Sequence, residues 1–156
     1  MLGILLLWTI GCGDKEGGCD ASTLSAGSAE ATIDGGAWAD DAVTWSWAGA
    51  SLQISSEASG GWLMSVAANL DINGDDLETA VAAGEFPIEV DLLDGGFVLL
   101  YPDEGGSYAS NKASGGTLTI TAADDSTVQG CFDFEAATAE GETVTVDAGL
   151  FNASVL

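Results

Sequence analysis

From Glu30 onward, large apolar side chains recur at every second position. Val43, Trp45 and Trp47 alternate with Thr44 and Ser46, Leu52 and Ile54 alternate with Gln53 and Ser55, and Trp62, Met64 and Val66 form a third row. Phe86, Ile88 and Val90 are set against Glu85, Pro87 and Glu89; Phe97, Leu99 and Tyr101 follow, then Leu118 and Ile120 among threonines. Val128, Gly130, Phe132 and Phe134 alternate with Gln129, Cys131, Asp133 and Glu135; Val144 and Val146 alternate with Thr143, Thr145 and Asp147, and Phe151 closes the series. A period of two sends one row to a packed face and the other to water, as in a half-buried strand. Between rows stand Asp34-Gly35-Gly36, Ser59-Gly60-Gly61, Asp94-Gly95-Gly96, Glu104-Gly105-Gly106 and Ser114-Gly115-Gly116. These are turn signals, because glycine supplies the positive φ of tight hairpins, and their spacing is too uneven for a repeat. The pattern predicts an all-β domain, an antiparallel sandwich or barrel of about eight or nine short strands. One short helix at most is expected, over 75–83, where Leu77, Ala80 and Val81 lie three and four apart.

Before Glu30 the pattern changes. Leu2, Ile4, Leu5, Leu6, Leu7, Trp8 and Ile10 dominate an uncharged opening. As a helix it would be roughly 16 Å long, about half a bilayer core, which is too short to span but suits the apolar part of a signal peptide. It ends in Thr9-Ile10-Gly11-Cys12, which resembles the lipobox of bacterial lipoproteins. The resemblance implies a diacylglycerol on the Cys12 thiol and cleavage just before it, with Gly11 as the small residue the peptidase needs. Acyl chains at about 0.8 kcal/mol per buried CH₂ then hold the body at a membrane. The family's Lys or Arg ahead of the apolar run is absent here, so the natural start is expected upstream. Gly13, rather than Asp, after the cysteine implies sorting to the outer membrane or cell surface. The expected division is a signal peptide over 1–11, a flexible acidic Gly/Ser tether over 12–28 and the all-β domain over 29–156. A tether of about sixteen residues has a mean reach of roughly 20–25 Å.

The domain resembles a group of uncharacterised small β-sandwich lipoproteins. The likeness lies in Ala31-Thr32-Ile33-Asp34-Gly35-Gly36-Ala37-Trp38, Gly84-Glu85-Phe86-Pro87-Ile88, Val128-Gln129-Gly130-Cys131-Phe132-Asp133-Phe134, and the closing Val144-Thr145-Val146-Asp147-Ala148-Gly149-Leu150-Phe151-Asn152-Ala153. It implies a sandwich in the cell envelope and brings no activity with it.

Charge narrows the chemistry. The 156 residues carry 25 acids, two lysines, no arginine and no histidine, for a formal charge of −23. Such a surface repels nucleic-acid phosphates, so no nucleic-acid partner is expected. The lack of His excludes Ser-His-Asp and Cys-His catalysis and imidazole zinc sites. The lack of Arg excludes bidentate phosphate recognition. The expected partners are a membrane, through the lipid, and a protein or glycan of unspecified kind.

With Cys12 acylated, Cys19 and Cys131 remain, in a compartment where disulfides persist. Alternation puts Cys131 on an outward face with Asp133 and Glu135, within reach of the tether, so a Cys19–Cys131 bridge is a candidate and two free thiols are the alternative. No cofactor is expected, apart from a candidate Ca²⁺ at Asp71, Asn73 and Asp75, whose oxygens fall at alternate positions as in calcium loops. Asp76 and Ala82 stand where an EF-hand has Gly and Glu, and a plain Asn73-Gly74 turn is the simpler account. The pairs Asp40-Asp41, Asp103-Glu104 and Asp124-Asp125 read as solvated turn acids, and Trp38 as a partly exposed platform. Three functions follow: a lipid-anchored, non-catalytic structural or binding module; a calcium-dependent adhesion or carbohydrate-binding module; and a carboxylate hydrolase. The last is weak, because with 25 acids pairs at glycosidase spacing arise by chance.

Overall fold

The first hairpin forms where the sequence places Asp34 and Gly35. Both have positive φ, 48° and 78°, as a two-residue type I′ loop requires. The loop joins β1 (Ser28–Ile33) to β2 (Gly36–Asp40). Asp34 also reaches sideways: its Oδ1 accepts the Thr145 N–H at 2.9 Å and its own N–H donates to the Thr145 carbonyl at 2.9 Å. The structure, a computed structural model, describes residues 19–48, 51–56, 62–69, 79, 81–82, 84, 86–93, 96–102 and 106–156.

After β2 come β3 (Val43–Ala48), β4 (Ser51–Ser56), β5 (Trp62–Asn69), β6 (Ile88–Asp91), β7 (Gly96–Pro102), β8 (Tyr108–Ala109), β9 (Gly115–Ala123), β10 (Thr127–Ala137) and β11 (Thr143–Val155). The fold is all-β. The strands run in the order β2-β1-β11-β10-β9-β6 in one layer and β3-β4-β5-β7-β8 in the other. The layers join where Ser154 and Val155 pair in parallel with Thr44 and Trp45, and where Ala137 bridges Ala109. The result is one large mixed sheet folded over its own core in a sandwich-like way, without closing into a regular barrel.

Several sequence expectations need correction. There are eleven strands among the described residues rather than eight or nine, and β10 and β11 are long. β2 was hidden because alanines flank its single large residue, Trp38; β8 has two residues. One pairing is parallel, not antiparallel. In β7 Val98 and Leu100 are buried, one step off the Phe97–Leu99–Tyr101 row, whose side chains lie outside the described residues. A run apolar at both phases carries no phase information, and a one-residue slip exchanges the faces. Where one short helix was expected, Thr79, Val81 and Ala82 are helical and Val81 packs on the core.

β11 changes phase within its own length. Val144 and Val146 face inward, and after the break Gly149, Phe151 and Ala153 do. The break is a β-bulge: Thr32 pairs with Asp147 but Glu30 with Leu150, and Ala148 between them has φ 51°. Gly149 then lies opposite Phe132, and a Cβ there would collide with the Phe132 ring. Phe132, Phe134 and Phe151 pack together, with centroids 5.9 and 6.3 Å apart. They meet Leu118, Ile120, Val128, Val144 and Val146 from their own layer and Val43, Ile54, Met64, Val66, Val98 and Leu100 from the other. Two indoles tie the layers: Trp38 Nε1 donates to the Trp62 carbonyl at 3.2 Å, and Trp45 Nε1 to the Ser126 carbonyl at 3.5 Å.

Candidate functional site

Residues 19–27 form a strap across the outer face of the β1–β11–β10 layer. Its first end is covalent: Cys19 is bonded to Cys131, with Cα atoms 5.4 Å apart and a sequence separation of 112. Cys131 points outward because Gly130 and Phe132 on either side are buried. The middle is held by Asn152, which pairs with Ser28 on one side and Gln129 on the other and so also faces outward. Its Nδ2 donates to the Leu24 carbonyl at 2.9 Å, and under this cover it is buried. The far end is Gly27, whose N–H donates to the Asn152 carbonyl and whose carbonyl accepts the Val43 N–H at 2.8 Å. Ala21 is 1% exposed, and the Leu24 N–H donates to the Ala21 carbonyl at 3.0 Å. Ser22 donates its N–H and hydroxyl to Asp20 Oδ1, which holds the Asp20 carboxyl below its ordinary value.

The tether expected over 12–28 is therefore corrected over 19–28. Small residues lie flat on the sheet, every turn of the strap finds a backbone partner, and the disulfide removes its freedom. Asn152, Ala21 and Gly27 were missed as a working set because each is unremarkable in a local window. The one available signal was a polar Asn152 between the core residues Phe151 and Ala153.

The outer face around Cys131 is acidic and hydroxylated. Across β10 and β9, Cys131 neighbours Thr119, and Asp133 pairs with Thr117. On β6, Glu89 pairs with Thr119 and Asp91 with Thr117. Glu89, Asp91 and Asp133 are exposed and Glu135 half-buried. Beside the strap lies an open depression of about 410 Å³ on β1 and β2, lined by Glu30, Thr32, Ala37, Ala39 and Ala148 among others. It offers one carboxylate, one hydroxyl and methyl groups. Inside, a void of about 10 Å³ between the layers is walled by apolar groups such as Leu118, Phe132 and Phe151. A space of that size without polar partners holds no ordered water.

Two expectations are overturned by burial. Trp38 is 5% exposed, since it points inward from β2 and spends its indole N–H on Trp62; it is no platform. Asp40 is 3% exposed rather than solvated. It shares the inward phase of Trp38, and its Oδ1 accepts the Ala42 N–H at 2.8 Å where the chain crosses between layers; Oδ2 has no partner among the described residues. Trp45 is buried, as expected of a core indole, and Trp62 is partly buried against the core. Asp124 is the exposed turn acid expected: its Oδ1 accepts from the Ser126 N–H and hydroxyl at 2.8 and 2.7 Å and the Thr127 N–H at 2.7 Å, which lowers its pKa to about 2.

Cys12, the Asp71, Asn73 and Asp75 loop, Asp103-Glu104 and the side chain of Trp47 lie outside the described residues. Among the described residues, no three Cys, Asp or Glu side chains gather to hold a metal, and no helix is long and apolar enough to cross a membrane. No family profile, curated protein or solved structure matches the chain. The class is thus set by fold: an all-β, sandwich-like protein with a disulfide-pinned N-terminal strap.

Proposed function

We propose that this chain is a lipid-anchored, extracytoplasmic β-sandwich protein of the cell envelope with a non-catalytic structural or binding role. The observation that carries the reading is the division of its three cysteines. Cys19 and Cys131 are joined, a pairing suited to an oxidising compartment. The odd cysteine is Cys12, at the end of an uncharged apolar run and directly after Gly11, where a lipobox cysteine stands. The pairing also reserves Cys12 for acylation, since the other two thiols are consumed. A non-catalytic role is supported by the lack of His and Arg.

The test is metabolic labelling of the full chain with radioactive palmitate in a bacterial host. Label is expected in the wild type and absent from Cys12→Ser, which should also leave the membrane fraction. An unlabelled wild type, or a Cys12→Ser protein that still sediments with membranes, refutes the anchor.

A further inference from the structure

We propose that the Cys19–Cys131 disulfide is a brace that sets how closely, and which way round, the domain is held to the bilayer. The proposal rests on the lipid-anchor reading and extends it from attachment to orientation. The membrane-facing surface it assigns is the acidic, threonine-rich outer face of β10, β9 and β6.

The bridge sets where the chain leaves the folded body. Without the bridge its first hold on the sheet is Leu24, whose carbonyl accepts from Asn152 Nδ2. With the bridge it leaves at Cys19, bonded to Cys131 in the middle of β10. That strand has β9 and β6 on one side and β11, β1 and β2 on the other. The leash from Cys12 to Cys19 is seven residues long, which spans at most about 25 Å even fully extended. From Cys12 to Leu24 the corresponding limit is about 40 Å.

These lengths decide the orientation. Strands lie about 4.8 Å apart, so the exit point is roughly 10–15 Å from either side edge of its layer. Two packed layers stand about 10 Å apart with outward side chains on both faces, some 20 Å in all. To bring the outer face of β3, β4, β5 and β7 against the bilayer, the leash would have to run to an edge and then past the full thickness. That path of about 30 Å or more exceeds what about seven residues can cover. The unbraced leash can cover it. The disulfide therefore holds Glu89, Asp91, Asp133 and Glu135 on the membrane side and turns the β3–β4–β5–β7 face away from the bilayer.

The test places the acylated full chain in a supported phosphatidylcholine bilayer and measures the height of the protein layer by neutron reflectometry. Insertion of about eight Gly/Ser residues between Gly13 and Asp14 lengthens the leash and is expected to raise the layer by the order of 5–10 Å. The same insertion between Ser22 and Thr23, both exposed, falls behind the brace and is expected to leave the height unchanged. In the Cys19→Ser/Cys131→Ser background, with folding checked by tryptophan fluorescence, both insertions are expected to raise it. If the two insertions act equally in the oxidised protein, the brace is overturned and the anchor stands. If mass spectrometry finds no lipid on Cys12, the anchor reading falls and the proposal falls with it. Should the double-serine protein not fold, the two insertions in the oxidised chain decide the matter on their own.

Discussion

Asp124 illustrates how one carboxylate can organise a turn. Four donors from Ser126 and Thr127 converge on its Oδ1, and its own N–H closes on the Thr127 carbonyl at 2.9 Å, so the β9–β10 connection is built around one atom. Its pKa of about 2 lies below the ordinary value of 3.8. A depressed carboxylate contributes stability that is complete above its unfolded pKa and is lost as the pH falls through its folded one. Asp124→Ala should lower the thermal midpoint at pH 7, and the gap to wild type should narrow between about pH 4 and pH 2; circular dichroism melts at both limits check this. A gap constant across that range would mean the ionised form adds nothing. The Asp124-Asp125 pair was legible in the sequence as a turn, but Asp40-Asp41 looked the same and behaves otherwise. The difference is phase: Asp40 ends a strand on its inward side, and the side a strand end faces is a property of the sheet, not of the dipeptide.

Among the elements, β11 depends most on one irregularity. Its bulge at Ala148 lets Val144 and Val146 and then Phe151 and Ala153 all face the core, although the two groups are out of phase in sequence. Gly149 makes the adjustment possible by leaving room for the Phe132 ring. Gly149→Ala should therefore destabilise the fold by about 1–3 kcal/mol through overpacking, read from urea midpoints at unchanged slope. A neutral result would show that Phe132 can move aside. The alternation revealed most of the other elements, β3, β4, β5, β9 and β10 included, because each has one clearly apolar phase. It misled in β7, where five successive apolar residues from Phe97 to Tyr101 are equally good in either register. There the tie is broken from outside: Ser110 Oγ accepts the Val98 N–H at 3.0 Å and is buried, though nothing near Ser110 in the sequence hints at it.

Over the whole molecule, a charge of −23 is distributed through turns and outer faces. Like charges within a Debye length, about 30 Å at 0.01 M salt, repel in the compact state and are screened as that length shrinks to about 10 Å at 0.1 M. Raising NaCl from 10 to 500 mM should raise the thermal midpoint by about 5 °C, the order expected for 1–2 kcal/mol in a domain of this size; a flat or falling midpoint contradicts a repulsion-limited fold. CaCl₂ that outperforms both NaCl and MgCl₂ at matched ionic strength would mark the Asp71 loop as a calcium site, and coincident curves would leave it a turn. The amino-acid order was enough to establish the strand-rich class, the Asp34-Gly35 hairpin, the acidic surface and Cys131 on an outward face, because each follows from a period or composition visible within a few residues. Folding in three dimensions was needed to choose the register of β7, bury Trp38, lay residues 19–27 down as a strap over Asn152 and join Cys19 to Cys131. Those outcomes depend on contacts between segments more than 100 residues apart in the chain or on the two layers meeting, and no local pattern carries the energy of such contacts.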